Sequence, residues 1–248
     1  MQRFSNKDLT DDAFWRGRVR LWQPKSGYRA ATDPVFLAAS CRSRKGDRVL
    51  DVGAGAGAAS VLLGRRMPGL RLEGVEVCEE YAALSRRNMA RNGLGWRVHV
   101  GDFREKALFA RPVGYDVVIT NPPFFDANAG FASPNARKDI AHRETARLDE
   151  WLDFCLRRLK SRGWLTMIHR AERLDEILAA LCGRAGDIAI APLWPRRGLD
   201  AKRVIVRARK DSKGPLRLTP GFIVHNDEDD RFTDQANAVL AEGATLDF

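Results

Sequence analysis

The 248-residue chain is poor in the residues that build cross-links. Its four cysteines, Cys41, Cys78, Cys155 and Cys182, include no Cys-x-x-Cys pair, and its four histidines, His99, His142, His169 and His225, are equally scattered. That spacing points to neither a disulfide framework nor a metal site, and the cysteines are expected to be core fillers. Long apolar runs are also lacking. No stretch reaches membrane-spanning length, and Met1 to Asp8 is polar where a signal peptide carries its apolar core. A cytoplasmic location is expected. No internal repeat or low-complexity linker interrupts the chain, and 44% hydrophobic content suffices for a large core. The expectation is therefore one α/β domain with appendages.

Charge of one sign is scarce in the wrong place for a neutral binding protein. The chain is +10 overall, yet residues 226–248 hold seven acids and one base, which leaves +16 on residues 1–225. Within those, Trp194 to Lys213 contains eight bases and two acids. Such an excess favours a polyanionic substrate, with Arg196 and Arg197 as candidate phosphate contacts. The alternative is a solvated edge hairpin kept apart from other chains by its charges.

Periodicity supplies the architecture. Arg48–Val52, Arg71–Val77, Trp96–Val100, Tyr115–Thr120, Gly163–Ile168 and Asp187–Leu193 read as six strands, with Val204–Val206 the centre of a seventh. Helical runs alternate with them at Ala58–Arg66, from Leu148 onward and at Glu172–Leu181. Leu148, Trp151, Leu152, Cys155, Leu156 and Leu159 form an apolar stripe assigned to the core. The pattern is that of a doubly wound α/β fold: a seven-stranded, mostly parallel sheet with a C-terminal antiparallel hairpin. Phe125 to Arg147 is too long and too polar for an ordinary connection. It suits a substrate loop, in which Arg137, Lys138 and Arg143 can meet phosphates, although a merely solvated loop has the same composition.

Two motifs carry chemistry. After the first strand comes Gly53-Ala54-Gly55-Ala56-Gly57, where glycines allow a ligand to approach the backbone and the N–H groups at a helix start. Glu76, about 20 residues on, can hold ribose hydroxyls. This spacing fits a dinucleotide as well as S-adenosylmethionine (SAM). Asp51 favours SAM, because a carboxylate attracts the methionine ammonium and repels a pyrophosphate. Asp102 can accept from the adenine amino group while Phe103 lines the ring, although a helix N-cap explains Asp102 equally well. The second motif, Asn121-Pro122-Pro123-Phe124, closes the fourth strand. An amine conjugated to a base or amide is a poor nucleophile, because its lone pair lies in the π-system. Acceptors on its two hydrogens, the Asn121 side-chain oxygen and the Pro122 carbonyl, favour a pyramidal nitrogen aimed at a methyl donor. Phe124 offers a face on which a flipped-out base stacks.

Gln23, Gly27-Tyr28-Arg29, Thr32 to Ala38, Asp51 to Gly57, Glu76, Asn121 to Phe124, Arg203 to Arg209 with Pro215-Leu216, and Ile223 to His225 together resemble the bacterial tRNA(Val) adenine-N6 methyltransferases. That resemblance implies a SAM-dependent enzyme acting on the adenosine 3′ of the anticodon. Asn121 with Pro122 would hold the target amine, Phe124 would stack the base, and Gly53, Gly55, Gly57, Glu76 and Asp102 would bind SAM. Residues 1–40 would be an N-terminal extension or lid and residues 41–248 the methyltransferase domain with its basic C-terminal hairpin. Phe124 stands where adenine-N6 enzymes commonly have tyrosine and resembles rRNA guanine-N2 methyltransferases. Guanine-N2 transfer, protein glutamine-N5 transfer and a non-catalytic RNA-binding relic are the competing expectations. Thr32 and Asp33 fit either a lid over the methionine end of SAM or a cap on the Pro34 helix.

Overall fold

The computed structural model describes residues 4–105, 108, 114–123, 147–229 and 231–248. Phe124, Arg137, Lys138 and Arg143 lie outside the described residues. Six segments of the main sheet run in one direction: β3 (Arg48–Val52), β4 (Arg71–Glu76), β5 (Arg97–Val100), β6 (Tyr115–Thr120), β7 (Leu159–Arg170) and β8 (Ala185–Trp194). β9 (Arg203–Lys210) runs against them between β7 and β8. The order is β5-β4-β3-β6-β7-β9-β8, so the chain reverses direction across the sheet between β3 and β6. Ligand crevices in such sheets open at the strand carboxyl ends at this reversal.

Among the described residues, two further strands raise the count from the expected seven to nine. β10 (Arg217–Leu218) and β11 (Phe222–Ile223) lie parallel along the free side of β8, with backbone bonds such as Thr219 N–H to Ile190 O, 2.9 Å, and Val224 N–H to Trp194 O, 2.8 Å. Two-residue strands carry no period a sequence can reveal, but they cover an otherwise open edge. The expected C-terminal antiparallel hairpin is present. Its antiparallel pair is β8–β9 inside the sheet, and residues 217–223 run parallel to β8.

The helices follow their apolar stripes. α2 (Ala58–Arg66), α3 (Glu79–Arg91), α4 (Leu148–Arg158) and α5 (Leu174–Leu181) cover the sheet, and α6 (Asp234–Glu242) follows β11. α1 (Asp33–Ser40) is buried from Pro34 to Ser40 and joins the core with Val61, Leu62, Ile119 and Ile205. Thr32 makes no side-chain cap there, while Asp33 accepts from Arg203 Nε at 3.0 Å. Ahead of α1, β1 (Leu9–Phe14) and β2 (Val19–Pro24) form a separate antiparallel pair. Their turn uses Trp15, Arg16 and Gly17 at positive φ, which periodicity does not signal. Asn88 of α3 ties this hairpin to the glycine loop: Oδ1 accepts from Trp22 N–H at 2.7 Å, and Nδ2 donates to Trp22 O and Ala56 O at 3.0 and 2.9 Å. Among the described residues no helix is long and apolar enough to cross a membrane.

Candidate active site

The register of β3 and β6 assembles the site. Val52 pairs with Thr120, so the next residues, Gly53 and Asn121, leave neighbouring strands side by side, about 4.8 Å apart in such a ladder. Thr120 Oγ donates to Val52 O at 2.8 Å and accepts from Trp151 Nε1 at 2.8 Å. The ring of Trp151 thereby lies against Gly53, where an added Cβ would meet it at 2.7 Å. The same ring contacts Phe103 edge-on at 4.7 Å, and Phe103 also meets Phe154 at 5.1 Å. Trp151 belongs to the apolar stripe, as expected, but one edge of it walls the site. Helical spacing could not distinguish that position from the rest of the stripe.

The glycine loop is held from behind. Gly53 and Ala54 donate to Val75 O at 2.9 and 3.0 Å, and Gly55 donates to Glu76 Oε2 at 2.7 Å. Glu76 Oε1 accepts from Cys78 N–H at 2.9 Å. A Cβ on Gly55 would find only Tyr28 Cε1, at 3.9 Å, so the space above this residue is open. Gly57, the N-cap of α2, has φ +81° and no side chain to satisfy the first helical N–H groups. Asp51 supplies what is missing. Its Oδ2 accepts from Ser60 Oγ at 2.7 Å, and its carboxylate also accepts from the Ser60 N–H. At 2% exposure, burial raises this carboxyl to about 7; the Ser60 hydrogen bonds pull it down and the Glu76 charge pushes it up. Asp51 therefore serves the start of α2 in this structure, which the reading of it as an ammonium partner did not foresee.

Asp102 is held by Arg104. Arg104 binds both its oxygens, and the Arg104 N–H donates to Oδ1 at 2.9 Å, closing a turn rather than capping a helix. The Arg104 guanidinium holds the Asp102 carboxyl below its usual range.

Asn121 is the least satisfied polar group here. Its Oδ1 is buried and has no hydrogen-bond partner among the described residues, and its Nδ2 lies 3.4 Å from the Tyr28 hydroxyl. Pro122 is buried and Pro123 half-buried, which fixes the chain as it leaves β6.

Strand direction also sorts the basic stretch. Arg196, Arg197 and Lys202 sit in the β8–β9 connection, at the same sheet end as Asn121. Arg207 lies mid-strand, 1% exposed, its guanidinium 3.8 Å from the Phe248 ring and bonded to Ser40 O and Phe248 O. Arg209 and Lys210 reach the opposite end and bond to Arg162 O and Leu159 O. The stretch is not an edge hairpin, because β9 has a neighbour on each side.

A sheet of this order, with a glycine loop and Asn-Pro-Pro on adjacent strand ends, defines a class I SAM-dependent methyltransferase. The chain belongs to the methyltransferase small domain family, whose model matches residues 32–174. It is 28% identical to a tRNA1(Val) (adenine(37)-N6)-methyltransferase of Aeromonas hydrophila over 84% of this chain and 86% of that protein. A Bacteroides thetaiotaomicron protein of the same name is 26% identical over 64% and 67%. Among solved structures, a predicted O-methyltransferase from Agrobacterium tumefaciens superposes with a TM-score of 0.72 at 26% identity, covering 87% of this chain and 99% of that one.

Proposed function

We propose that this protein transfers the methyl group of SAM to N6 of an adenosine in tRNA, at position 37 of a valine tRNA. The observation that carries the reading is the buried Asn121 Oδ1 beside the glycine loop, which has no partner among the described residues. An orphaned acceptor in a half-buried place is costly unless a donor arrives, and an exocyclic amine brings two N–H donors. The names shared by several relatives across most of their length support the choice of tRNA and of adenine.

The open space above Gly55 and the adjoining Glu76 fit a bound nucleoside, so these residues, with Gly53, are assigned to SAM. SAM supplies an electrophilic methyl on a sulfonium. The chain's part is to hold the amine so that its lone pair leaves the ring π-system: Asn121 Oδ1 takes one hydrogen and the Pro122 carbonyl the other. As the nitrogen–carbon bond forms, the sulfonium–methyl bond would break and its electron pair return to sulfur as a neutral thioether; the amine proton becomes acidic and passes to water, so no dedicated base is required. Arg196, Arg197 and Lys202 share the rim with Asn121 and are assigned to phosphates, with Arg137, Lys138 and Arg143, outside the described residues, as further candidates.

Incubation with methyl-labelled SAM and unmodified tRNA, ribosomal RNA and release-factor protein, followed by digestion and mass spectrometry, tests the reading. Label is expected as N6-methyladenosine in valine tRNA. N2-methylguanosine in ribosomal RNA, N5-methylglutamine or a methylated hydroxyl would each replace it. Asn121→Ala should lower turnover by about 10²-fold or more while SAM affinity stays within a few-fold; near wild-type turnover would remove Asn121 from the mechanism.

A further inference from the structure

Tyr28 is a large aromatic residue left 41% exposed on a segment that is otherwise held firmly. Three anchors fix it. The buried Tyr81 hydroxyl of α3 accepts from the Tyr28 N–H at 3.1 Å and donates to the Tyr28 carbonyl at 3.3 Å. Gln23, 2% exposed, grips the Ala30 backbone from both sides, with Oε1 accepting from Ala30 N–H at 2.6 Å and Nε2 donating to Ala30 O at 3.1 Å. Arg29 donates to Pro24 O at 2.8 Å, Thr10 Oγ at 2.9 Å and Asp12 Oδ2 at 2.7 Å. Gly27 turns the chain between them at φ +96°.

The anchored ring reaches two places at once. Its Cε1 lies 3.9 Å from where a Gly55 Cβ would stand, and its hydroxyl lies 3.4 Å from Asn121 Nδ2. A primary amide can turn over about its last torsion, exchanging an acceptor for a donor at the same spot. For a target amine, whose exposed edge is N–H, only one of the two orientations is productive. With Nδ2 donating to it, the Tyr28 hydroxyl supports the orientation in which Oδ1 faces away from the ring.

We propose that Tyr28 is a positioning residue, whose hydroxyl holds the Asn121 amide with its oxygen toward the incoming amine. The proposal rests on the methyl-transfer reading above and adds to it a residue outside the glycine loop and the Asn-Pro-Pro motif. Its length of 3.4 Å suits a bond that tightens when substrate arrives.

Tyr28→Phe keeps the ring and removes the oxygen, so it separates orientation from packing. With wild-type tRNA turnover as the reference, kcat should fall about three- to tenfold, as for one lost hydrogen bond. KM for tRNA and calorimetric SAM affinity should stay within twofold. In Tyr28→Phe combined with Asn121→Ala, the loss should equal that of Asn121→Ala alone, because an amide that is absent cannot be misoriented. Unchanged kcat in Tyr28→Phe, or additive losses in the double variant, would overturn the proposal. A readout independent of the substrate is the Asn121 side-chain amide pair in the ¹⁵N NMR spectrum, assigned by its disappearance in Asn121→Ala. Tyr28→Phe should shift that pair while leaving the Gly55 backbone amide in place. An unmoved pair would refute the contact even if tRNA proved not to be the substrate, and a wild-type protein inactive on tRNA would refute the substrate alone.

Discussion

A carboxylate placed inside a strand normally asks for a cationic partner, and Asp51 instead has a hydroxyl and a backbone N–H from Ser60. Its carboxyl is raised from an ordinary value of about 4 to about 7, chiefly by burial. A raised carboxyl carries no penalty when both folded and unfolded chains are protonated. The cost to folding grows from about pH 4 and is complete above about pH 7. Asp51→Asn removes the titration and keeps an oxygen for Ser60. Chemical denaturation from pH 4 to 8 should therefore show the variant gaining on the wild type as pH rises, by roughly 2–4 kcal/mol, and levelling off above pH 7. Parallel stability curves would assign Asp51 an ordinary carboxyl.

Among the elements, the β8–β9 pair shows how little a run of charge says before it is folded. Alternation and direction divide Trp194 to Lys213 between the rim, the core and the far end of the sheet. The acidic segment that follows also folds back on the rim: Arg196 Nε donates to Asn226 O at 3.2 Å, and the Arg197 N–H donates to Asp227 Oδ1 at 3.1 Å. Asp227 also lies 3.7 Å from Arg197 Nε, so part of the basic excess meets its counter-charge within the chain. Both partners are exposed and the pair is weak enough to yield to a phosphate. Replacing Arg196 and Arg197 by Ala should make the salt dependence of tRNA binding shallower by roughly one to two units. Replacing Arg209 and Lys213, which stand away from the rim, should leave it unchanged. Equal effects from the two pairs would mean that RNA is held by overall charge rather than by this rim.

For the whole molecule, SAM binding should appear as stability, since a ligand that prefers the folded chain shifts the unfolding equilibrium. At about 100 times its Kd, SAM should add about 2.7 kcal/mol, or roughly 5–11 °C in Tm for a chain of this size. Gly55→Val should abolish that shift, because the side chain would enter the open space above the loop. A stabilisation by NAD in place of SAM would reassign the cofactor.

The seven longer strands of the main sheet and the helices α2, α4 and α5 were legible in the sequence because each carries its own period: buried runs such as Val117 to Ile119, and the stripe from Leu148 to Leu156. The two motifs were legible because glycines and paired prolines restrict the backbone wherever they stand. Tertiary structure alone decided what depends on residues far apart in the chain. It brought Tyr28 to Asn121 and Trp151 to Gly53, turned Asp51 toward Ser60, gave Asp102 to Arg104 and buried Arg207 mid-sheet. Local composition encodes whether a segment can be a strand or a helix. Which side chain faces an open site is set by strand order and register, and those follow from how the separate apolar faces are buried against one another.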